Sequence, residues 1–228
     1  MTPAVQTRLL LSADPASRGT RLPALGAVGG PVLFTLAWLV LGFVSDGYTL
    51  FGYTFADYSV VSQSISGLGL GSTGPAMNTA FIVAGLMLIV GVLAARRLIG
   101  PPAPGRAATI LLACTGLGQI VCGVFTLQAM MLHTSGFLLA LGMPVISFVV
   151  AGRQLLRVPG WRTFGTGLAA IGSPVAAVLL IAYFIAFQPT IDGAEHGIAG
   201  LVQRIGAVHA LGWFVALGWR AYRRAPVA

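Results

Sequence analysis

The stretch "AMNTAFIVAGLMLIVGVLAARRLIGPPAPGR", Ala76 to Arg106, decides the solvent in which this chain folds. Residues Ala76–Ala95 carry no charge, and then come Arg96, Arg97 and a proline- and glycine-rich turn that ends at Arg106. A helix of about 20 residues crosses the hydrocarbon core of a bilayer. Helix is also the form in which one segment satisfies its own backbone polar groups without water. The pattern predicts a transmembrane helix that stops at a basic turn.

Working outward, similar apolar runs occupy Ala24–Val44, Ala107–Leu127, His133–Ala151, Thr163–Phe187 and Gly197–Trp219. Of the 228 residues, 57% are hydrophobic and 8% charged, and the mean hydropathy is +0.90. A soluble domain carries about 25% charged residues, so this chain cannot cover a water-facing surface. The expected fold is all-α, an integral membrane bundle of six transmembrane helices over residues 24–220. Residues 1–23 read as a disordered cytoplasmic tail and 221–228 as a basic one.

The charges test the span count independently. Arg8, Arg18 and Arg21 precede the first run; Arg96, Arg97 and Arg106 follow the second; Arg153, Arg157 and Arg162 follow the fourth; Arg220, Arg223 and Arg224 follow the sixth. In a six-span zigzag these all fall on one side. The opposite connections hold Asp46, Asp57, Asp192 and Glu195 and no arginine. The positive-inside rule then places both termini in the cytoplasm, and the cell membrane of a bacterium (its inner membrane) is the expected location. The arginines thereby orient the bundle among lipid headgroups, and the net charge of +8 does not point to a nucleic-acid partner. A G-x-G-x-x-G match at Gly69, Gly71 and Gly74 lacks the strand–turn–helix setting that phosphate binding needs, so no nucleotide partner is expected either.

Cys114 and Cys122 share one apolar run at about 12 Å along a helix, beyond disulfide reach. Glycines cluster within the spans, where small residues let helices approach closely. Pro144 and Pro174 fall inside spans and predict kinks. No internal repeat stands out beyond the alternation of spans.

The first extracytoplasmic connection, residues 45–75, begins with Tyr48, Phe51, Tyr53, Phe55 and Tyr58, rings suited to the membrane–water interface. Then Val61, Ile65 and Leu68 alternate at helical spacing with Ser59, Ser62 and Ser66. The spacing predicts a short interfacial helix over roughly residues 58–67, capped by Asp57 and stopped at Gly67 and Gly69.

"YSVVSQSISGLG" followed by "AMNTAFIVAGLML" resembles the bacterial and archaeal six-span membrane family catalogued as the domain of unknown function numbered 998. Ile65, Ser66, Gly67, Leu68 and Gly69 match its signature before the second span, and Asn78 and Gly85 fit too. Gly200 and Arg204 match a pattern at the start of the sixth span, where Gln203 replaces the family's acid. His133 matches a histidine at the mouth of the fourth span, without the acidic turn that often precedes it. The resemblance implies the six-span bundle and no activity.

Arg204 is the strongest single polar signal, about 10 Å below the outer end of its span. A charge at that depth faces the bundle interior with a partner; Asp57, Asp192 and Glu195 are the carboxylates on offer, with Asp46 the more distant choice. Two readings stand open: Arg204 binds an anionic or amphiphilic ligand, or it forms a structural ion pair. Seven residues apart, His196 and Gln203 share one helix face; Arg204 lies about 80° from His196, and His209 faces elsewhere. Ser66, Asn78, Gln203, Arg204, Asp192 and Glu195 are therefore the candidate ligand-binding residues of a polar outer mouth, with the bilayer and a lipid or small amphiphile as partners. The enzymatic alternative is an outer-leaflet lipid hydrolase whose catalytic candidates are His133, His196 and Asp57. It would use a metal held by histidine and carboxylate, or Ser62, Ser64 or Ser66 as nucleophile, although no G-x-S-x-G motif is present. No metal centre is assigned, and no cofactor is indicated.

Overall fold

The computed structural model describes residues 21–99, 103–187 and 197–224. Among the described residues, six helices are long and apolar enough to cross a membrane: α1 Leu22–Val44, α2 Gly71–Ile99, α3 Arg106–Val124, α4 Leu127–Leu155, α5 Arg162–Ala186 and α6 Ala199–Arg224. The protein is a multi-pass membrane protein, and its apolar outer surface meets lipid. Arg8 and Arg18 of the expected first tail lie outside the described residues; so do Asp192, Glu195 and His196.

Helix α2 sits at the centre, packed against α1, α3 and α6. Its crossing with α3 depends on two glycines. A Cβ on Gly85 would lie 2.4 Å from the Gly116 carbonyl oxygen, and one on Gly116 would lie 2.6 Å from that of Gly85. The backbones touch there, so the contact is made by dispersion between bare main chains, the usual driving force between helices already in lipid. Helix α5 is the least enclosed of the six, with Val178, Ile181 and Ile185 facing out.

Spans α4 and α5 share a feature absent from the sequence reading. "LLALGMPV", Leu138–Val145, and "LAAIGSPV", Leu168–Val175, repeat Leu, Ala, Gly, Pro and Val in register. In both, one turn widens to a π-helix, with the Met143 and Ser173 N–H groups bonded to the carbonyls of Leu138 and Leu168. The cause is the proline that follows, which lacks an N–H and crowds the carbonyl four residues back; a widened turn accommodates it. Ser173 Oγ then donates to the Val145 carbonyl at 2.6 Å, and His209 Nε2 meets the Gly172 carbonyl at 2.9 Å. His209 is thus a hydrogen-bonded packing residue between α6 and the bulge of α5.

The connection after α1 differs from expectation. Its aromatics form a hairpin, β1 Tyr48–Leu50 and β2 Tyr53–Phe55, antiparallel with Tyr48 opposite Phe55. Phe51 and Gly52 turn it with φ of 50° and 87°, the positive pair that suits the twist of a two-residue hairpin. Tyr48 and Phe55 stack and are buried, whereas Phe51 and Tyr53 are exposed. No α-helix occupies residues 58–67. A turn closes with Gln63 N–H on the Ser59 carbonyl at 2.9 Å, and a 3-10 helix follows at Ile65–Gly69. Serine competes for the local backbone here: Ser59 Oγ accepts the Ser62 N–H at 3.3 Å, the mechanism that makes serine a poor helix interior residue. The Asp57 carbonyl, not a capping side chain, receives Gln63 Nε2 at 3.1 Å. All of Ile65–Gly69 is buried. The segment therefore dips into the bundle, which non-helical backbone can do only where protein surrounds it.

Candidate functional site

The dipping segment is held by the first turns of α6. Gly200 N–H donates to the Ser62 carbonyl at 3.2 Å and Leu201 N–H to that of Val61 at 2.9 Å. These are orphan donors of a helix N-terminus, and loop carbonyls supply their partners. Only glycine fits at position 200, since a Cβ there would stand 2.2 Å from the Gln63 carbonyl oxygen.

Arg204 completes the attachment. Its Nη1 donates to the carbonyls of Val60, Gln63 and Gly200 at 2.8, 2.9 and 2.9 Å, and Nη2 donates to Tyr58 Oη at 2.5 Å. The guanidinium also lies against the rings of Trp38 and Tyr58, 5.5 and 5.7 Å from their centroids. Arg204 is 5% exposed. Its cation is balanced by carbonyl dipoles and π faces. The ion pair expected with Asp57 is not among its contacts. Asp192 and Glu195 lie outside the described residues.

One residue back, and so about 100° around the helix, Gln203 points elsewhere. Its Oε1 accepts the Ile65 N–H at 2.7 Å, which orients the amide so that Nε2 carries both spare protons. Next along the loop, Ser66 Oγ lies 2.7 Å from His133 Nε2, and His133 Nδ1 lies 2.7 Å from the Phe125 carbonyl oxygen. That carbonyl closes α3 and has no helical partner of its own. A carbonyl only accepts, so Nδ1 holds the imidazole proton. In the neutral ring Nε2 then accepts, and the Ser66 hydroxyl donates. Ser66, His133 and Gln203 are each about nine-tenths buried or more.

These three side chains meet a cavity of about 400 Å³ between the hairpin, α4 and α5. Its walls are mostly apolar and largely aromatic, Phe55, Phe137 and Tyr183 among them, with Ser64 and Thr134 as further polar lining, and its rim residues Phe51, Tyr53, Phe184 and Phe187 are exposed. No Asp, Glu or Arg lines it among the described residues. Arg204 is outside it. Asn78 is outside it too, and its Nδ2 donates to the Gly69 carbonyl at 3.0 Å within the dipping segment. Among the described residues, no three His, Cys, Asp or Glu side chains gather as a metal centre. Cys114 and Cys122 are unbridged.

Of the residues singled out from sequence, Ser64, Ser66, His133 and Gln203 line the cavity, whereas Asp57, Ser62, Asn78 and Arg204 stand apart from it. Tyr58 and the Phe125 carbonyl were not anticipated as partners. An arginine at depth beside an aromatic-rich loop was a signal for the first; a backbone carbonyl leaves none.

The sequence profile of the family described as Protein of unknown function (DUF998) matches residues 28–220. No curated protein and no solved structure gives a match. With the match running from α1 to α6, the chain belongs to that family.

Proposed function

We propose that this member of the DUF998 family binds a neutral amphiphile, its apolar part among the aromatic walls and its polar end on Ser66, His133 and Gln203. One observation carries the reading: a cavity of about 400 Å³, within the size range of small-molecule sites, has an apolar wall and a floor of three buried polar side chains. Convergent polar groups at the base of an apolar pocket fix orientation, while the walls supply affinity. Among the described residues the lining holds no Asp, Glu or Arg, which favours a neutral polar group over the anionic one considered for Arg204, whose terminal nitrogens donate to the protein itself. Exposed rings at the rim suit the depth of lipid headgroups, so entry is lateral, from the bilayer.

The proposal places this end of the bundle outside the cytoplasm, because the arginines of the alternate connections collect at the other end. The ligand then comes from the outer leaflet of the cell membrane. A reporter fused after Ala228 should be active in the cytoplasm; periplasmic activity would invert the arrangement. The binding site itself is tested in nanodiscs with an ether-linked, photoreactive monoacyl lipid. Adducts are expected on Phe137 and Tyr183. Adducts confined to the outward residues Val178 and Ile185 would remove the site.

A further inference from the structure

We propose that Ser66 is a nucleophile and that the cavity cleaves a carboxylic ester bearing an apolar chain; the inference rests on the amphiphile reading above. A serine hydroxyl is a weak nucleophile until a base takes its proton in the transition state. His133 is placed for that task. Its Nε2 is 2.7 Å from Ser66 Oγ, and Nδ1–H is held at 2.7 Å by the Phe125 carbonyl. The arrangement of nucleophile, base and orienting acceptor is recognised by geometry and role rather than by motif or chain order. Here the orienting acceptor is a backbone carbonyl at the end of α3, which fixes the tautomer and the ring direction without a carboxylate. The missing acid before His133 is therefore no obstacle. Gln203 supplies the third element. With Oε1 occupied by Ile65 N–H, its Nε2 protons have no acceptor among the described residues and belong to a side chain on the cavity floor. They are the donors available to an oxyanion.

The chemistry balances with water as the co-reactant. Ser66 Oγ attacks the ester carbonyl carbon as its proton passes to His133 Nε2, and the oxyanion forms facing Gln203. Collapse breaks the bond to the alkoxy oxygen, which takes the proton from His133 and leaves as the alcohol. Water then attacks the acyl-serine, gives a proton to His133, and the carboxylic acid departs as the Ser66 hydroxyl is restored. Ester and water become acid and alcohol.

The structural alternative is that His133 merely anchors the dipping segment to α4. The two differ in a measurement on the wild-type protein. Full-length protein in nanodiscs is treated with an alkyl fluorophosphonate, and the labelled residue is located by mass spectrometry. Stoichiometric modification of Ser66 is expected, together with release of nitrophenolate from a decanoyl nitrophenyl ester. Ester turnover should vanish in Ser66→Ala, fall about 100-fold or more in His133→Gln, and fall about 100-fold in kcat with little change in KM in Gln203→Met. Thermal melts establish that each variant is folded. An unlabelled Ser66 in folded wild-type protein would overturn the proposal, as would equal ester turnover in wild type and Ser66→Ala. The ether lipid separates the two failures: it cannot be cleaved, so adducts on Phe137 and Tyr183 without labelling of Ser66 leave the binding site and remove the nucleophile. Loss of both removes both.

Discussion

Gln203 and Arg204 are neighbours on one helix turn and belong to two different kinds of polar site. Around Arg204 four acceptors, from Val60, Gln63, Gly200 and Tyr58, take up the terminal guanidinium nitrogens, and the cavity does not reach the group. Around Gln203 the hydrogen bonds are directional and incomplete. Its amide accepts from Ile65 and keeps donors to spare, and the adjacent Ser66–His133 pair ends at open space. Both clusters are buried and both hold the same loop. What separates them is unused hydrogen-bonding capacity beside a void. A buried polar group whose partners are all protein stabilises one conformation; one whose capacity faces a cavity is available to a ligand.

Substitutions should sort along this line, and the largest effect belongs to the first cluster. Arg204→Ala leaves the loop carbonyls without their cation and should cost at least about 3 kcal/mol, since hydrogen bonds to charged groups contribute about 1.5–3 kcal/mol each. Arg204→Lys should recover only part of this, because an ammonium cannot reproduce the planar fork. The check is the thermal midpoint in detergent. A full rescue by lysine would mean that charge alone matters there.

Gly200→Leu comes next. The added atoms collide with the Gln63 backbone, and overpacking of this kind costs about 1–3 kcal/mol. It should also release the loop, seen as faster amide exchange at Ser62–Ile65. Unchanged exchange would separate the α6 contact from the position of the floor.

Gln203→Met lies on the boundary. It strands the buried Ile65 N–H and should cost about 1–3 kcal/mol, while also removing the donors from the cavity. If its stability is unchanged and its ester turnover is too, the two clusters are not distinct. The last pair makes the sharpest test. Tyr58→Phe removes the hydroxyl that accepts from Arg204 and donates to the Ser64 carbonyl, and Ser66→Ala removes one hydrogen bond to His133. The first should cost about 2 kcal/mol and the second about 1 kcal/mol, but only Ser66→Ala should abolish fluorophosphonate labelling. Equal behaviour in both assays would erase the contrast.

Part of this could be read along the chain. The apolar lengths and the alternation of arginines mark six spans, and Ser66, His133, Gln203 and Arg204 stand out as polar groups in apolar surroundings. The loop misled because its hydrophobic spacing fits a helix, whereas its serines and glycines prefer local backbone contacts that the spacing does not weigh. The Leu-x-Ala-x-Gly-x-Pro-Val pair in α4 and α5 was visible in the letters, but its meaning required seeing both prolines widen the turn before them. The acceptors of the Arg204 terminal nitrogens were illegible for a related reason: they are mainly carbonyls, which every residue carries and no sequence advertises.

The sequence by itself determined the solvent, the number of spans and the side on which the arginines collect. Those properties are sums over consecutive residues, since transfer into lipid is decided segment by segment. Tertiary structure alone decided that residues 66, 133 and 203 meet while residue 204 turns away. That outcome depends on where a non-helical loop can enter a helical bundle, and such a loop enters only where carbonyls and N–H groups from distant parts of the chain complete one another.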